Sequence, residues 1–279
     1  MDDVERSMYR SITGIIGYLS AVTRPDLCVA HSVLGSQLSK PKRSDMVRAV
    51  HCMCYIKGKP DHGIVYTRGK EKDLGVLADL LEVYSDADYA NAVTPKRRSR
   101  SGVQINLAGC AIDWKGVLQK TTALSTTEAE LYALVEAVRM ALHIRSLLHE
   151  IQYGRIEYWD DEVHESSKPV RLFVDNKSTI AAAIADETTR SLKHVDVRLW
   201  WLRDLISAGD VELAYISSDD NYADLYTKAL GPAKLTQMLT AMQVVDYQEH
   251  MGVDAAVSEL QNWGSVTGQF GINEIADML

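Results

Sequence analysis

Leu80–Ala90, LLEVYSDADYA, passes from apolar to acidic within a few residues. Val83 and Tyr84 suit a buried strand, and Ser85-Asp86-Ala87-Asp88 puts carboxylates where that strand runs out. A single Asp at such a place commonly does no more than start a turn. This stretch decides the fold because three later segments each deliver one more acidic residue in a comparable setting.

The first of these segments begins at Ser125-Thr126-Thr127-Glu128, a capping box that opens a long Ala- and Leu-rich helix predicted to reach about Glu150. Capping gives Glu128 a sufficient structural task. Glu130 has none, and it lies one turn from Ala133 and Leu134, on a face small enough to pack against a sheet. Next, Val170–Val174 reads as a strand buried on both faces that ends at Asp175-Asn176. Last, Tyr222-Ala223-Asp224 starts a helix predicted to run through Leu230, where a first-turn carboxylate also suits the helix dipole. Asp88 competes with Asp86, and Glu128 with Glu130. Two divalent cations need several hard oxygen ligands converging from rigid elements, and strand ends and helix starts supply that rigidity.

The remaining elements fit around these four. Gly102–Ala108 alternates Val103, Ile105 and Leu107 with smaller or polar neighbours, and Cys110–Trp114 can pair with it, so three sequential strands form a meander. Between the first two strands Lys96, Arg97, Arg98 and Arg100 sit close together; such a run is more often a solvated loop, but beside a metal-filled acidic centre it would become a phosphate contact. Residues 153–169 read as a polar surface loop. Ser178–Ala185 is a short helix, another follows His194, and Val211–Ile216 is a fifth strand. His194 itself reads as a surface histidine.

Upstream, helices are predicted over residues 7–22, Pro25–Ser39 and Ser44–Ile56, with a short strand at Gly63–Tyr66. This helical unit shows no chemistry of its own. The charged connector Thr67–Asp73 sets the junction, giving a helical domain at 1–72, an α/β domain at 73–235 and a flexible extension at 236–279 in which Val253–Leu260 could form a helix. Across 279 residues the net charge is −8, which argues against a protein that coats nucleic acid generally but allows one local basic patch. The four cysteines fit neither a zinc spacing nor a disulfide framework. No apolar run approaches membrane-spanning length, so a soluble, membrane-free protein is expected.

YSDADYA, RRSRSGVQINLAG, ALSTTEAELYAL, LFVDN, KHVDVRLWWLRD and NYADLYTKAL together resemble the ribonuclease H domain of copia-type retrotransposon Pol polyproteins. YRSITGIIGYLSAVTRPD, LSKP and YIKGKPDHGIVY resemble the stretch that follows the polymerase core in the same proteins, which extends the likeness over about residues 8–235. Relatives usually carry several basic residues in the third helix, where this chain has Val50, His51, Cys52, Met53 and Cys54.

The resemblance implies a ribonuclease H-like α/β fold, a mixed five-stranded sheet flanked by helices and preceded by a small helical domain. It implies cleavage of the RNA strand of an RNA–DNA hybrid with two magnesium ions, manganese being an acceptable replacement. Asp86 would bridge both ions, Glu130 and Asp175 would hold the leaving-group side, and Asp224 the side of the attacking water. Glu130 is favoured over Glu128 because Glu130-Leu131-Tyr132-Ala133 resembles the wider ribonuclease H pattern. The implied partners are the hybrid and the polymerase part of the same polyprotein. The implied location is intracellular, in a cytoplasmic retroelement particle or the nucleus. The competing reading is a catalytically silent remnant serving as a binding or assembly module.

Overall fold

Asp2 and Glu5 exchange backbone hydrogen bonds at 2.7 and 3.0 Å, a capping box that starts α1 (Asp3–Val22) earlier than the apolar spacing alone suggests. The structure is a computed structural model and describes residues 1–66, 75–90, 97–154, 168–185 and 196–246. Pro25–Leu27 forms only a 3₁₀ turn before α2 (Cys28–Gly35), so the helix expected over Pro25–Ser39 is shorter at both ends. Then follow α3 (Arg43–Lys57) and the short strand β1 (His62–Ile64). Tyr9, Ile16, Leu27, Leu34, Ala49 and Cys52 form the core of this helical unit, and the buried Tyr9 hydroxyl donates to Leu34 O at 2.7 Å.

The acidic stretch becomes β2 (Leu81–Asp88), which continues past Asp86 rather than ending there. It pairs antiparallel with β3 (Arg100–Leu107), which pairs antiparallel with β4 (Cys110–Leu118). On the other side of β2, β5 (Val170–Val174) and then β6 (Val211–Tyr215) pair parallel, giving the order β4-β3-β2-β5-β6. This is a mixed five-stranded α/β sheet. Parallel neighbours require crossovers: α4 (Thr126–Tyr153) leads back from the meander to β5, and α5 (Lys177–Ile184) and α6 (Asp196–Ser207) connect β5 to β6. Val83, Val103, Ile105, Leu131, Leu134, Val138, Leu172, Leu199 and Leu202 share one core between the sheet and these helices. β5 is not buried on both faces as expected, because Arg171 between Val170 and Leu172 is exposed.

β3 is buried along nearly its whole length, polar residues included. Its alternation separates two packed faces, not core from solvent. Val103 and Ile105 face the α4 core, while Gln104 receives the Tyr226 hydroxyl at 2.7 Å and donates to Asn106 at 2.7 Å. The helix expected to run to Leu230 stops after one turn, α7 (Asp224–Thr227), and Gly231-Pro232 starts α8 (Pro232–Ala241). β7 (Val244–Asp246) pairs antiparallel with β1, and Leu239, Met242 and Val244 pack with Leu225, Tyr226 and Ala111. Residues 237–246 are therefore folded, contrary to the flexible extension expected from Gln237. The connector Thr67–Asp73, most of the 153–169 loop, His194 and the helix expected at Val253–Leu260 lie outside the described residues.

Candidate metal centre

Small residues set the depth at which the acids sit. Ala87 on β2 packs against Ala123, Ala129 and Ala133, so the first turns of α4 approach the strand closely. Gln119 ties them down by donating to Ala129 O and to Ser101 Oγ, both at 2.9 Å. The Ser125 hydroxyl accepts from Glu128 N–H at 3.1 Å, as the capping box predicts. The Glu128 carboxylate reaches Leu124 N–H at 2.7 Å rather than the cap residue, and it also accepts from Tyr132 at 2.8 Å. Those bonds hold Glu128 in a structural role. Two residues on, Glu130 faces β2, where the backbone N–H of Ala87 acts to lower its pKa against the larger effect of burial.

Asp175 follows the last residue of β5, and Asn176 caps α5 by accepting from Ser178 and Thr179 N–H. Asp86, Glu130 and Asp175 each bring one carboxylate oxygen to within 4.8 Å of the others'. Asp86 and Glu130 are only 4% and 5% exposed. Burial first, and then the Asp224 carboxylate, push Asp86 up to about 7. Burial followed by Asp86 and Asp175 pushes Glu130 up to about 9. Glu130 Oε2 is buried with no hydrogen-bond partner. Three hard oxygens converging on one point, one of them unsatisfied, fit a divalent cation of the magnesium or manganese type; the protein's own groups leave that demand unmet.

Asp224 sits beside this trio and not in it. It is fully buried, with Lys228 Nζ 2.6 Å from one oxygen and Lys234 Nζ 2.8 Å from the other. Its turn lies in a trough made by two glycines that face each other across β3 and β4, Gly102 and Gly116. A Cβ on Gly102 would stand 2.4 Å from Ala223 O, and one on Gly116 2.7 Å from Tyr226 O. From the trough, Thr227 donates its hydroxyl to Asp86, and Asn221 donates to Ser85 O at 3.0 Å. The sequence reading singled out none of Asn221, Thr227, Lys228 or Lys234. The signal available was Lys228 four residues after Asp224, one helical turn on.

The basic run is dispersed. Lys96 lies outside the described residues. Arg97 is exposed and donates to Ala90 O at 3.3 Å, and Arg98 is half-buried. Arg100 is 4% exposed and donates to Ser32 on α2. It joins the sheet to the helical unit, a structural task that the reading of Arg100 as a phosphate contact did not foresee.

No protein-family model matches the chain. A ribonuclease H1 from compost solved with an RNA/DNA hybrid is 14% identical and covers 53% of this chain, with a TM-score of 0.36. A secreted RxLR effector protein, number 161, of Plasmopara viticola is 38% identical over 135 residues, 48% of this chain and 89% of that protein. The retrovirus-related Pol polyprotein of transposon TNT 1-94 from Nicotiana tabacum is 29% identical over 222 residues, 80% of this chain. The chain spans 15% of that polyprotein's length. Over 80% of its length, then, the chain is homologous to retrovirus-related Pol polyproteins from copia-type plant transposons.

Proposed function

We propose that the α/β unit is a ribonuclease H that hydrolyses the RNA strand of an RNA–DNA hybrid with divalent cations during reverse transcription. The observation that supports this most is the approach of Asp86, Glu130 and Asp175 within 4.8 Å, from three different elements. In this reading Asp86, Glu130 and Asp175 would hold the ion that assists departure of the leaving group, and Asp86 and Asp224 the one that activates the attacking water. Bound there, magnesium or manganese would lower the pKa of water and offset charge building on the phosphoryl oxygens. The protein's part is to hold the carboxylates in place: Thr227 fixes Asp86, and Asn221 fixes the loop that carries Asp224. The polymerase part of such a polyprotein is the natural partner, acting inside the cell, in a retroelement particle or the nucleus. Among the described residues no helix is long and apolar enough to cross a membrane.

With magnesium, the purified protein is expected to cut the RNA of a hybrid and leave duplex DNA intact. Asp175→Asn, at a partly exposed position where the change is nearly isosteric, should lower cleavage by roughly a hundredfold or more with an unchanged circular dichroism spectrum. Full activity in that variant would refute the site.

A second reading, a silent remnant that binds hybrid without cutting it, is favoured by one feature: both oxygens of Asp224 already face ammonium groups. Tight hybrid binding without any magnesium-dependent cleavage would select it.

A further inference from the structure

Lys228 is placed unlike an ordinary surface lysine. Its ammonium is 2.6 Å from Asp224 Oδ1, and its charge also acts on Asp86, Glu130 and Asp175. Its side chain is 44% exposed, so the ammonium reaches the acids from the solvent side and has a route back to water. Lys234, 30% exposed, holds the other oxygen of Asp224 and also donates to Ser218 O at 3.0 Å, which anchors it more firmly. Formal charges decide what the centre still lacks. Asp86, Glu130, Asp175 and Asp224 carry four negative charges when ionised; Lys228 returns one, and Lys234 another that it shares with Asp219, 3.8 Å away. With Lys228 in place the charge left over is closer to that of one divalent cation than of two.

We propose that Lys228 is a built-in cation of this centre. It stands in for one of two divalent ions, so the resting protein takes a single ion at Asp86, Glu130 and Asp175. Asp224 opens to a second ion only when Lys228 swings away. An ammonium and a dication cannot share one carboxylate oxygen at close range without strong repulsion, so lysine and second ion exclude each other. A negatively charged hybrid backbone offers a withdrawing Lys228 a phosphate to contact, which would couple loading of the second ion to arrival of substrate. This inference rests on the metal-centre reading of the three acids and adds to it which side of the centre fills first.

Manganese binding to the whole protein, followed by calorimetry and by the electron paramagnetic signal of the free ion, tests the proposal without measuring cleavage. The natural chain should bind one ion tightly. Lys228→Gln, which keeps a polar group on a side chain one atom shorter but removes charge, should bind a second ion at least tenfold more tightly than the natural chain does, and Lys228→Arg should stay at one. A thermal melt without metal checks that the Gln variant is folded. Should it be unfolded, Lys228→Met replaces it in the same titration. Equal single-ion isotherms for the natural and Gln chains would overturn the role of Lys228 and leave the metal centre standing. Two equally tight ions in the natural chain would overturn it as well. Absence of any binding to the natural chain, with Asp175→Asn no different, would instead remove the metal-centre reading beneath it.

Discussion

The fold favours the protonated forms of Glu130 and Asp86, and this gives the acidic centre a pH signature. Both carboxyls are raised, to about 9 and about 7, by burial and by one another's neighbours. A carboxyl whose folded pKa lies above its unfolded value of about 4 favours the native state fully at low pH and loses that contribution as pH rises through the folded value. In chelator, then, the melting temperature should fall between about pH 5 and 9 on account of these two groups. With magnesium the dependence should weaken or reverse, because the ion requires the ionised forms. Ion binding at pH 7 should also release protons, readable as a calorimetric heat that changes with the ionisation enthalpy of the buffer. A metal-induced stabilisation that is equal at pH 5.5 and pH 8.5 would contradict this account. At this scale the structural task of Glu128 was legible in the sequence, since capping chemistry is local. The sequence could not show Lys228 and Lys234 on Asp224, nor Arg100 underneath α2, because both depend on how distant elements lie across the sheet.

Among elements, the single turn α7 depends on two residues without side chains. Gly102 and Gly116 are partners in the ladder, and their missing Cβ atoms leave the space that Ala223 O and Tyr226 O occupy. Gly102→Ala should therefore lift α7 off the sheet. Overpacking against backbone atoms costs about 1–3 kcal/mol, measurable as a lower urea midpoint, and displacement of Thr227 from Asp86 should weaken metal binding as well. Ser125→Ala removes only a cap and should lower stability by about 1 kcal/mol with little effect on the acids, apart from slight fraying of α4. The meander, the long helix and the acidic strand ends were legible from periodicity and capping. The length of β2 beyond Asp86 was not, since the residues that extend it, Ala87 and Asp88, pair with Ser101 and Arg100 far along the chain. Met238, Leu239, Met242 and Val244 carried an apolar spacing that a closer reading of the sequence would have marked as packed rather than loose.

At the scale of the molecule, the helical unit and the sheet are joined by contacts widely separated in sequence. Trp114 Nε1 donates to Ser20 O at 2.6 Å, the Tyr66 hydroxyl donates to Ala111 O at 2.8 Å, and Arg100 donates to Ser32. β1 and β7 complete the link, with Val65 N–H on Gln243 O at 2.9 Å. A charge at Val244, 1% exposed and packed beside Ile64, should loosen it: Val244→Asp is expected to cost several kcal/mol by burying an unpaired carboxylate, and urea denaturation would report it.

The pairing of β1 with β7 has a consequence for a cut chain. A backbone scission introduced between Tyr66 and Gly75 would separate two peptides that already grip each other through a ladder and a shared apolar seam. The nicked halves should travel as one peak in size-exclusion chromatography and part only in denaturant, so connectivity could be lost here while the assembled shape persists.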